Sequence, residues 1–269
     1  MLPPLVFNSG FSMRRKKFFE NIGNIIIFGL FVTLVCFAIY SAGGFLVMHY
    51  IKPKATDFVS NVEQPVNYSM LQLMLFTSLL CSSDVVAAVS IVDYEAAPKL
   101  YSCIFGEGVF NDIVSIVLFN VVNTLQGKEF TAAMPFVILA QFVSLAVISV
   151  AFGIIFGFAT ALLFKHFRFL TISCVIETFV MLAMGFTAYY VAEAIIFLGL
   201  DMSGIIALLT CSIIQSHYTW YNLSPQGKST TAVTFAFLGH TAEAAIYCYV
   251  GLSLYSSIAE YWSIVWCVF

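Results

Sequence analysis

Residues 105–112 (FGEGVFND) place the carboxylates of Glu107 and Asp112 and the amide of Asn111 inside an otherwise apolar run. The run covers residues 100–122, which is long enough to cross a bilayer, and a charge is most costly in the middle of such a segment. Acids in that position normally pair with a base, bind a cation or hold a proton. The stretch therefore predicts proton or cation chemistry, with a purely structural polar cluster as the competing interpretation.

Helical spacing separates the polar residues of this run. Glu107, Asn111 and Ser115 recur every fourth position and share one face, whereas Asp112 is offset by one residue and lies near the centre of the segment. Burial favours the protonated form of a carboxyl group, and the neighbouring amide and hydroxyl oxygens suit a hard cation such as Na+ or K+. A proton and a cation would then compete for a buried Asp112, which is the minimum machinery of an antiporter.

A second polar interruption, residues 81–84 (CSSD), falls inside the apolar run at 70–92. Serine hydroxyls compete with the backbone hydrogen bonds of a helix, so this segment is expected to break locally. The freed carbonyl oxygens, together with Ser83 and Asp84, are candidate ion ligands. Three further acids lie within or at the edges of apolar segments: Glu177, Glu193 and Glu243. Each is as compatible with structural bracing as with ion contact.

The composition identifies the class of protein that must position these groups. The 269 residues are 61% hydrophobic and 9% charged, whereas soluble domains carry about 25% charged residues. This predicts an all-α polytopic membrane protein, one domain over residues 1–269, with no nucleic-acid partner and no cofactor. Seven apolar segments have spanning character: 22–48, 70–92, 100–122, 135–164, 171–197, 203–216 and 232–257. The sixth is short for a crossing, which suggests a broken or re-entrant helix among others.

The basic residues predict the orientation of these segments. Alternating crossings place eight of the eleven Lys and Arg residues on one side: Arg14, Arg15, Lys16, Lys17, Lys99, Lys165, Arg168 and Lys228. The other three are Lys52, Lys54 and Lys128. The positive-inside rule assigns the first side to the cytosol, and with it loops 10–21, 93–99, 165–170 and 217–231. The sequon at Asn67 falls on the opposite side but abuts an apolar segment, so we expect it to be unused.

Both ends of the sequence resemble the interior of a longer chain. Residues 1–7 (MLPPLVF) are too short to span and precede the basic residues, unlike a signal peptide. Residues 263–269 (SIVWCVF) open a further apolar run. The sequence is therefore expected to be a central portion of a larger protein that does not transport by itself.

Several motifs resemble those of the eukaryotic sodium/proton exchangers, in the same order and over essentially the whole chain. Residues 105–118 (FGEGVFNDIVSIVL) resemble the family's FGES-x-x-NDAV-x-IVL segment, and residues 216–225 (SHYTWYNLSP) resemble its SHYT-x-x-NLSP loop. Residues 2–13 and 18–23 are similar to the opening of the family's core. Further matches occur at Ala192-Glu193, at Ser203-Gly204-Ile205 and at residues 249–253 (YVGLS). The resemblance is strongest to the organellar branch, found in Golgi and endosomal membranes.

The resemblance implies an inverted-repeat fold with broken crossing helices and a homodimer. It implies electroneutral exchange of Na+ or K+ for H+ by alternating access, and hence pH regulation, with Asp112 as the ion- and proton-binding carboxylate and Asn111 beside it. Asp84 corresponds to the aspartate of the broken helix, and Glu177 and Glu243 correspond to acids that support the core.

This sequence also departs from the family pattern. Val85 replaces the proline that normally follows the aspartate of the broken helix, and Gly108 replaces a serine near the site. About three residues are inserted between Glu193 and Ser203. The helices expected before Leu2 and after the last residue, including one that carries a core arginine, are not in this sequence. No Lys or Arg lies inside the seven segments to take the place of that arginine.

The sequence therefore predicts an antiporter rather than an enzyme, with Glu107 supporting Asp112 and the bilayer as its environment. A truncated or regulatory relative that does not transport is the main alternative, favoured by the departures. An intramembrane aspartyl protease using Asp84 and Asp112 is a remote one. Such enzymes need a GxGD element, whereas residues 106–109 read GEGV, and a Tyr-Asp pair, which occurs here in reverse order as Asp93-Tyr94.

Overall fold

The structure is a computed structural model that describes residues 2–13, 15–51, 54–56, 63–65, 69–82, 91–92, 95–125, 134–196 and 202–257. Its helices are α1 (Leu2–Ser12), α2 (Arg15–Glu20), α3 (Ile22–Ile26), α4 (Thr33–Ile51), α5 (Met70–Leu80), α6 (Pro98–Thr124), α7 (Met134–His166), α8 (Cys174–Ile196), α9 (Gly204–Tyr218) and α10 (Pro225–Ser257). A π-helical turn (Ile27–Val32) joins α3 to α4, and 3-10 turns at Arg168–Ile172 and Thr219–Asn222 precede α8 and α10. The predicted helical class is confirmed, with one addition. Strands β1 (Lys54–Thr56) and β2 (Glu63–Pro65) form an antiparallel pair between α4 and α5.

Within the described residues, four helical stretches are long and apolar enough to cross a membrane. They are Ile22–Tyr50, Pro98–Thr124, Phe136–His166 and Cys174–Ile195. These stretches coincide with the first, third, fourth and fifth predicted segments, so the chain is a multi-pass membrane protein. Their outer surfaces expose large apolar side chains, such as Phe31, Ile155 and Phe179, as helices surrounded by lipid require. The total of seven crossings stays a prediction.

The other three predicted segments differ from a simple span in different ways. Helix α5 ends at Leu80, with Cys81 in a turn and Ser82 outside any helix, which agrees with the interruption expected there. Helix α9 has 15 residues and is about 22 Å long, shorter than the ~30 Å hydrocarbon core. Helix α10 is long, but His240 and Glu243 interrupt its apolar surface.

Helix α9 is buried among the other helices, as its length suggested. Every residue from Gly204 to Leu209 is buried. The Ser203 backbone N–H donates to the Ser149 hydroxyl at 2.7 Å, which sets the start of α9 level with the middle of α7. Gly153 permits this contact, because a Cβ there would lie 2.5 Å from the Ala207 carbonyl oxygen. Helix α9 is therefore a half-length element that begins inside the membrane layer.

Helix α1 also packs into the interior, although its sequence is too short to span. The ring of Phe7 meets Phe235 of α10 edge-on, with centroids 4.8 Å apart. The Ser216 hydroxyl donates to the Phe11 carbonyl oxygen at 2.9 Å. Helix α1 thus fills the space between α9 and α10.

Elements from the four loops predicted to be cytosolic lie at one end of the molecule. The rings of Phe19 and His217 are 5.4 Å apart, and the Asn222 amide donates to the Ala161 carbonyl oxygen near the end of α7. A cavity of about 220 Å³ separates the α1–α2 junction from the start of α6. Its lining consists of Ser12, Met13, Phe18, Tyr101, Ser102 and Phe105. The fold therefore gives these loops a common side.

Candidate ion-binding site

Asp112 lies near the middle of α6 and faces the broken end of α5. The Ser82 hydroxyl donates to Asp112 Oδ1 at 2.6 Å, which joins two stretches 30 positions apart in the sequence. Asp112 is exposed in this structure, whereas the sequence predicted a buried carboxylate. The difference arises because one residue turns the side chain by about 100° around a helix, so Asp112 faces away from the interior side that Asn111 occupies.

Asn111 points into the helix bundle. It is 2% exposed, and its Oδ1 accepts a hydrogen bond from the Thr33 hydroxyl at 3.0 Å. The same hydroxyl lies 2.9 Å from the Gly29 carbonyl oxygen in the π-helical turn. The amide and the carboxylate that adjoin in sequence therefore contact different parts of the chain: Asn111 contacts α4, and Asp112 contacts Ser82 just beyond the end of α5.

Further hydroxyl groups connect the three helices around Asn111. The Ser115 hydroxyl donates to the Ser78 carbonyl oxygen, which also accepts from the Cys81 thiol at 3.0 Å. The hydroxyls of Ser41 and Thr77 bond to each other at 2.8 Å. We call these buried groups on α4, α5 and α6 the polar seam: Thr33, Ser41, Thr77, Ser78, Asn111 and Ser115. The seam satisfies its polar groups within the protein, as the bilayer interior demands.

The π-helical turn lets α3 and α4 approach α6 closely. A Cβ at Gly29 would lie 2.7 Å from the Phe110 Cβ and 3.0 Å from the Glu107 carbonyl oxygen. Glycine is thus required where the backbones meet. Single π-turns are rare in helices and occur frequently at functional sites. Here the turn lies beside the one segment that carries the amide and both carboxylates.

Glu107 is half-buried, one turn before Asn111 on α6. It precedes Asp112 by five positions on the same helix, which is less than one and a half helical turns. This proximity is consistent with a supporting role for Glu107. Ser83 and Asp84 lie outside the described residues, so their predicted ion contacts stay predictions.

Glu177 braces the start of α10. Its side chain is fully buried, and its two oxygens accept from the Ser224 backbone N–H at 3.1 Å and from the Ser224 hydroxyl at 3.0 Å. Ser224 in turn accepts from the Gly227 N–H at 3.0 Å. A carboxylate at a helix N-terminus is stabilised by the helix dipole. This geometry therefore supports a structural role for Glu177.

The remaining two acids occupy separate places. Glu193, near the end of α8, packs against the start of α9, where a Cβ at Gly204 would approach its Oε1 to 2.9 Å. Glu243 pairs with His240 one turn earlier on α10, with 3.5 Å between Nδ1 and Oε2. The sequence-predicted residues are thus not all collected into one site. Asp112 and Ser82 form its accessible part, and Asn111 and Ser115 belong to the polar seam.

Several groups at the site were not identified from the sequence, among them Ser82, whose neighbour Ser83 was the predicted ligand. Thr33 is one of few polar residues in an apolar run, and the Ser78 carbonyl belongs to ordinary backbone. The spacing of Thr33 and Ser41, eight residues apart and hence on one helical face, was the available signal for Thr33. The residues described contain no group of three His, Cys, Asp or Glu side chains that could hold a metal ion.

Comparisons with known proteins agree with the resemblance carried by the motifs. A family model described as "Sodium/hydrogen exchanger, transmembrane" matches residues 1–269. Sodium/hydrogen exchanger 1 of Arabidopsis thaliana is 31% identical over 252 residues, covering 94% of this chain and 44% of the relative. Sodium/hydrogen exchanger 3 of the same plant is 30% identical over 268 residues, covering 98% and 49% respectively. Human Sodium/hydrogen exchanger 9 is 32% identical over 262 residues, covering 95% and 39%.

The chain spans less than half the length of each of these three relatives. Their names describe exchangers, not enzymes. The match to the family nevertheless extends from the first residue to the last and includes the Asn111-Asp112 stretch and the helices that position it. The chain therefore belongs to the sodium/hydrogen exchanger family.

Proposed function

We propose that this protein is a cation/proton antiporter that exchanges Na+ or K+ for H+ by alternating access. Asp112 is the carboxylate that takes up the proton and the cation in turn. One cation leaves as one proton binds, so that the exchange is electroneutral. The membership of the family and the names of the relatives support the class of reaction.

The observation that carries the proposal is the contact between Ser82 and Asp112. It places an accessible carboxylate beside the end of a helix that stops within an apolar segment. Helix ends inside a membrane leave carbonyl oxygens without helical partners, and transporters use such oxygens to coordinate ions. Asp112 Oδ1, the Ser82 hydroxyl and the carbonyls at the end of α5 are therefore the ligands we assign to the cation.

The neighbouring groups complete the assignment. Glu107 supports Asp112 electrostatically, while Asn111 and Ser115 hold α6 in position against α4 and α5. Ser83 and Asp84 extend the site on the α5 side. The four loops rich in basic residues lie at one end of the molecule, which supports assigning that end to the cytosol. We extend the proposal to a homodimer in an organellar membrane of the Golgi or endosome.

Flux in proteoliposomes tests the central assignment. The chain is reconstituted alone and as a chimera that replaces the matching 252 residues of the Arabidopsis exchanger. An outward Na+ or K+ gradient should drive internal acidification, measured with a pH-sensitive dye. Asp112→Asn should abolish this flux, because an amide neither ionises nor binds a proton at neutral pH.

Glu20→Gln is the matched control, since it makes the same chemical change at an exposed residue at the end of α2. It should retain the flux. Cation-driven acidification that survives Asp112→Asn would refute the assignment of Asp112. A chimera that binds Na+ but transports none would favour the non-transporting relative.

A further inference from the structure

We infer that Thr33 is a positioning residue of the ion site, which acts through Asn111 to set the affinity of Asp112 for the cation. The inference rests on the proposed function, because it concerns the same site. The Thr33 hydroxyl lies within hydrogen-bonding distance of the Gly29 carbonyl oxygen and of Asn111 Oδ1. Because Asn111 adjoins Asp112 on α6, this contact gives Thr33 a route to the cation through α6.

The π-helical turn is what directs Thr33 toward α6. A π-turn contains one residue more than an α-helical turn, and each residue advances the side chains by about 100°. Thr33 is the first residue after the turn, so a regular helix in its place would direct the hydroxyl away from Asn111. Gly29 inside the turn provides the close approach that brings the hydroxyl to 3.0 Å from Asn111 Oδ1.

The hydroxyl can bond to Asn111 in either of two arrangements. Its single proton can go to the Gly29 carbonyl oxygen at 2.9 Å or to Asn111 Oδ1. If the proton goes to Gly29, the hydroxyl oxygen can still accept from the Asn111 amide after an amide flip. Thr33 can therefore stay hydrogen-bonded to Asn111 in both amide orientations, so that either the oxygen or the NH2 group of Asn111 faces away from Thr33.

Two bonds on one face fix the rotation of α6. The Thr33–Asn111 bond and the Ser115–Ser78 bond are one helical turn apart, and Asp112 lies between them in the sequence. A side-chain tip lies about 5–6 Å from the helix axis, so a rotation of about 10° moves it by about 1 Å. The 2.6 Å bond between Ser82 and Asp112 would not survive that displacement. Loss of the Thr33 hydroxyl should therefore misplace the carboxylate relative to the other ligands.

Cation binding to the purified chain, and to the chimera described above, tests this inference. The variants are Thr33→Val, which replaces the hydroxyl by a methyl group, and Thr33→Ser, which retains the hydroxyl. Na+ is titrated at constant ionic strength against a bulky organic cation, and the thermal stabilisation of the detergent-solubilised protein gives the half-saturating concentration. Thr33→Val should raise that concentration about five- to tenfold, the equivalent of one lost hydrogen bond. Thr33→Ser should restore it.

Thr178→Val is the matched control. The Thr178 hydroxyl lies 2.9 Å from the Cys174 carbonyl oxygen one turn earlier and 2.9 Å from Thr231 on another helix, the same pattern as at Thr33. Its loss should lower the stability without Na+ but leave the half-saturating concentration unchanged. A purely structural role for Thr33 would give this same result. If the half-saturating Na+ concentrations of Thr33→Val and Thr178→Val agree within twofold, the inference is overturned.

The titration also separates this inference from the proposed function. If Asp112→Asn abolishes saturable Na+ stabilisation while Thr33→Val leaves the midpoint unchanged, the site stands and the inference fails. If the unmodified protein shows no Asp112-dependent stabilisation, both fail. Thr33→Ala is a second hydroxyl-free variant. If neither hydroxyl-free variant folds while Thr33→Ser does, the hydroxyl serves the fold rather than the site, and the inference is again overturned.

Discussion

The contact between Glu177 and the start of α10 allows a double-mutant test of how the bundle is held together. A Cβ at Gly227 would overlap Glu177 Oε2, so Gly227→Ala must displace the carboxylate. Both hydrogen bonds from Ser224 to Glu177 would then be lost or distorted. Hydrogen bonds to charged groups contribute about 1.5–3 kcal/mol each. We expect Gly227→Ala and Glu177→Ala each to lower the free energy of unfolding by about 3 kcal/mol.

The coupling between the two positions is the decisive quantity. Once Glu177→Ala has removed the carboxylate, the methyl group of Gly227→Ala enters vacated space and should cost less than about 1 kcal/mol more. Thermal unfolding in detergent measures the effect, at about 2–4 °C for each kcal/mol in a chain of this size. Each single variant should therefore unfold about 6–12 °C below the unmodified protein, and the double variant only slightly lower than either.

Gly251→Ala is the control on the same helix, because nothing lies within 4 Å of the added methyl group. It should unfold at or slightly above the temperature of the unmodified protein, since alanine favours helix. Fully additive losses in the double variant would refute the reasoning. So would a Gly227→Ala variant as stable as Gly251→Ala.

Two further predictions concern close contacts between helices. Gly29→Ala should push the π-helical turn away from α6 and so lower both the thermal stability and the apparent Na+ affinity. Gly43→Ala adds a methyl group in open space and should change neither. Equal effects of the two variants would contradict the close approach at Gly29. Ser149→Ala removes the acceptor of the Ser203 N–H and should cost about 1 kcal/mol. Hydrogen exchange should accelerate in the first turn of α9, and unchanged protection there would show that α9 is held by other contacts.

Much of the fold could be predicted because it follows from local patterns and the thickness of a bilayer. The apolar run at 100–122 appears as α6 (Pro98–Thr124), with both of its ends close to the predicted ones. The run at 203–216 appears as the buried half-length helix α9. Serine competition for backbone hydrogen bonds predicted the break after Leu80. Each of these features depends only on residues close in sequence.

The partners of the polar groups could not be predicted in the same way. Helical spacing grouped Glu107, Asn111 and Ser115 correctly on one face, but it did not identify what that face contacts. Glu177 bonds to Ser224, 47 positions later, at an N-terminus that no pattern connects with it. The rotation and height of each helix relative to its neighbours decide such contacts, and packing over the whole bundle sets both.

Residues 105–112 show most clearly which features follow from the sequence and which from the tertiary structure. By itself the sequence determined that two carboxylates and an amide lie in the middle of a membrane segment, because hydrophobic length and the cost of charge in lipid leave little choice. Only the tertiary structure decided that Asn111 faces Thr33 while Asp112 faces Ser82. A rotation of about 100° per residue separates those environments. The π-turn, which was not predicted from the sequence, directs Thr33 toward Asn111.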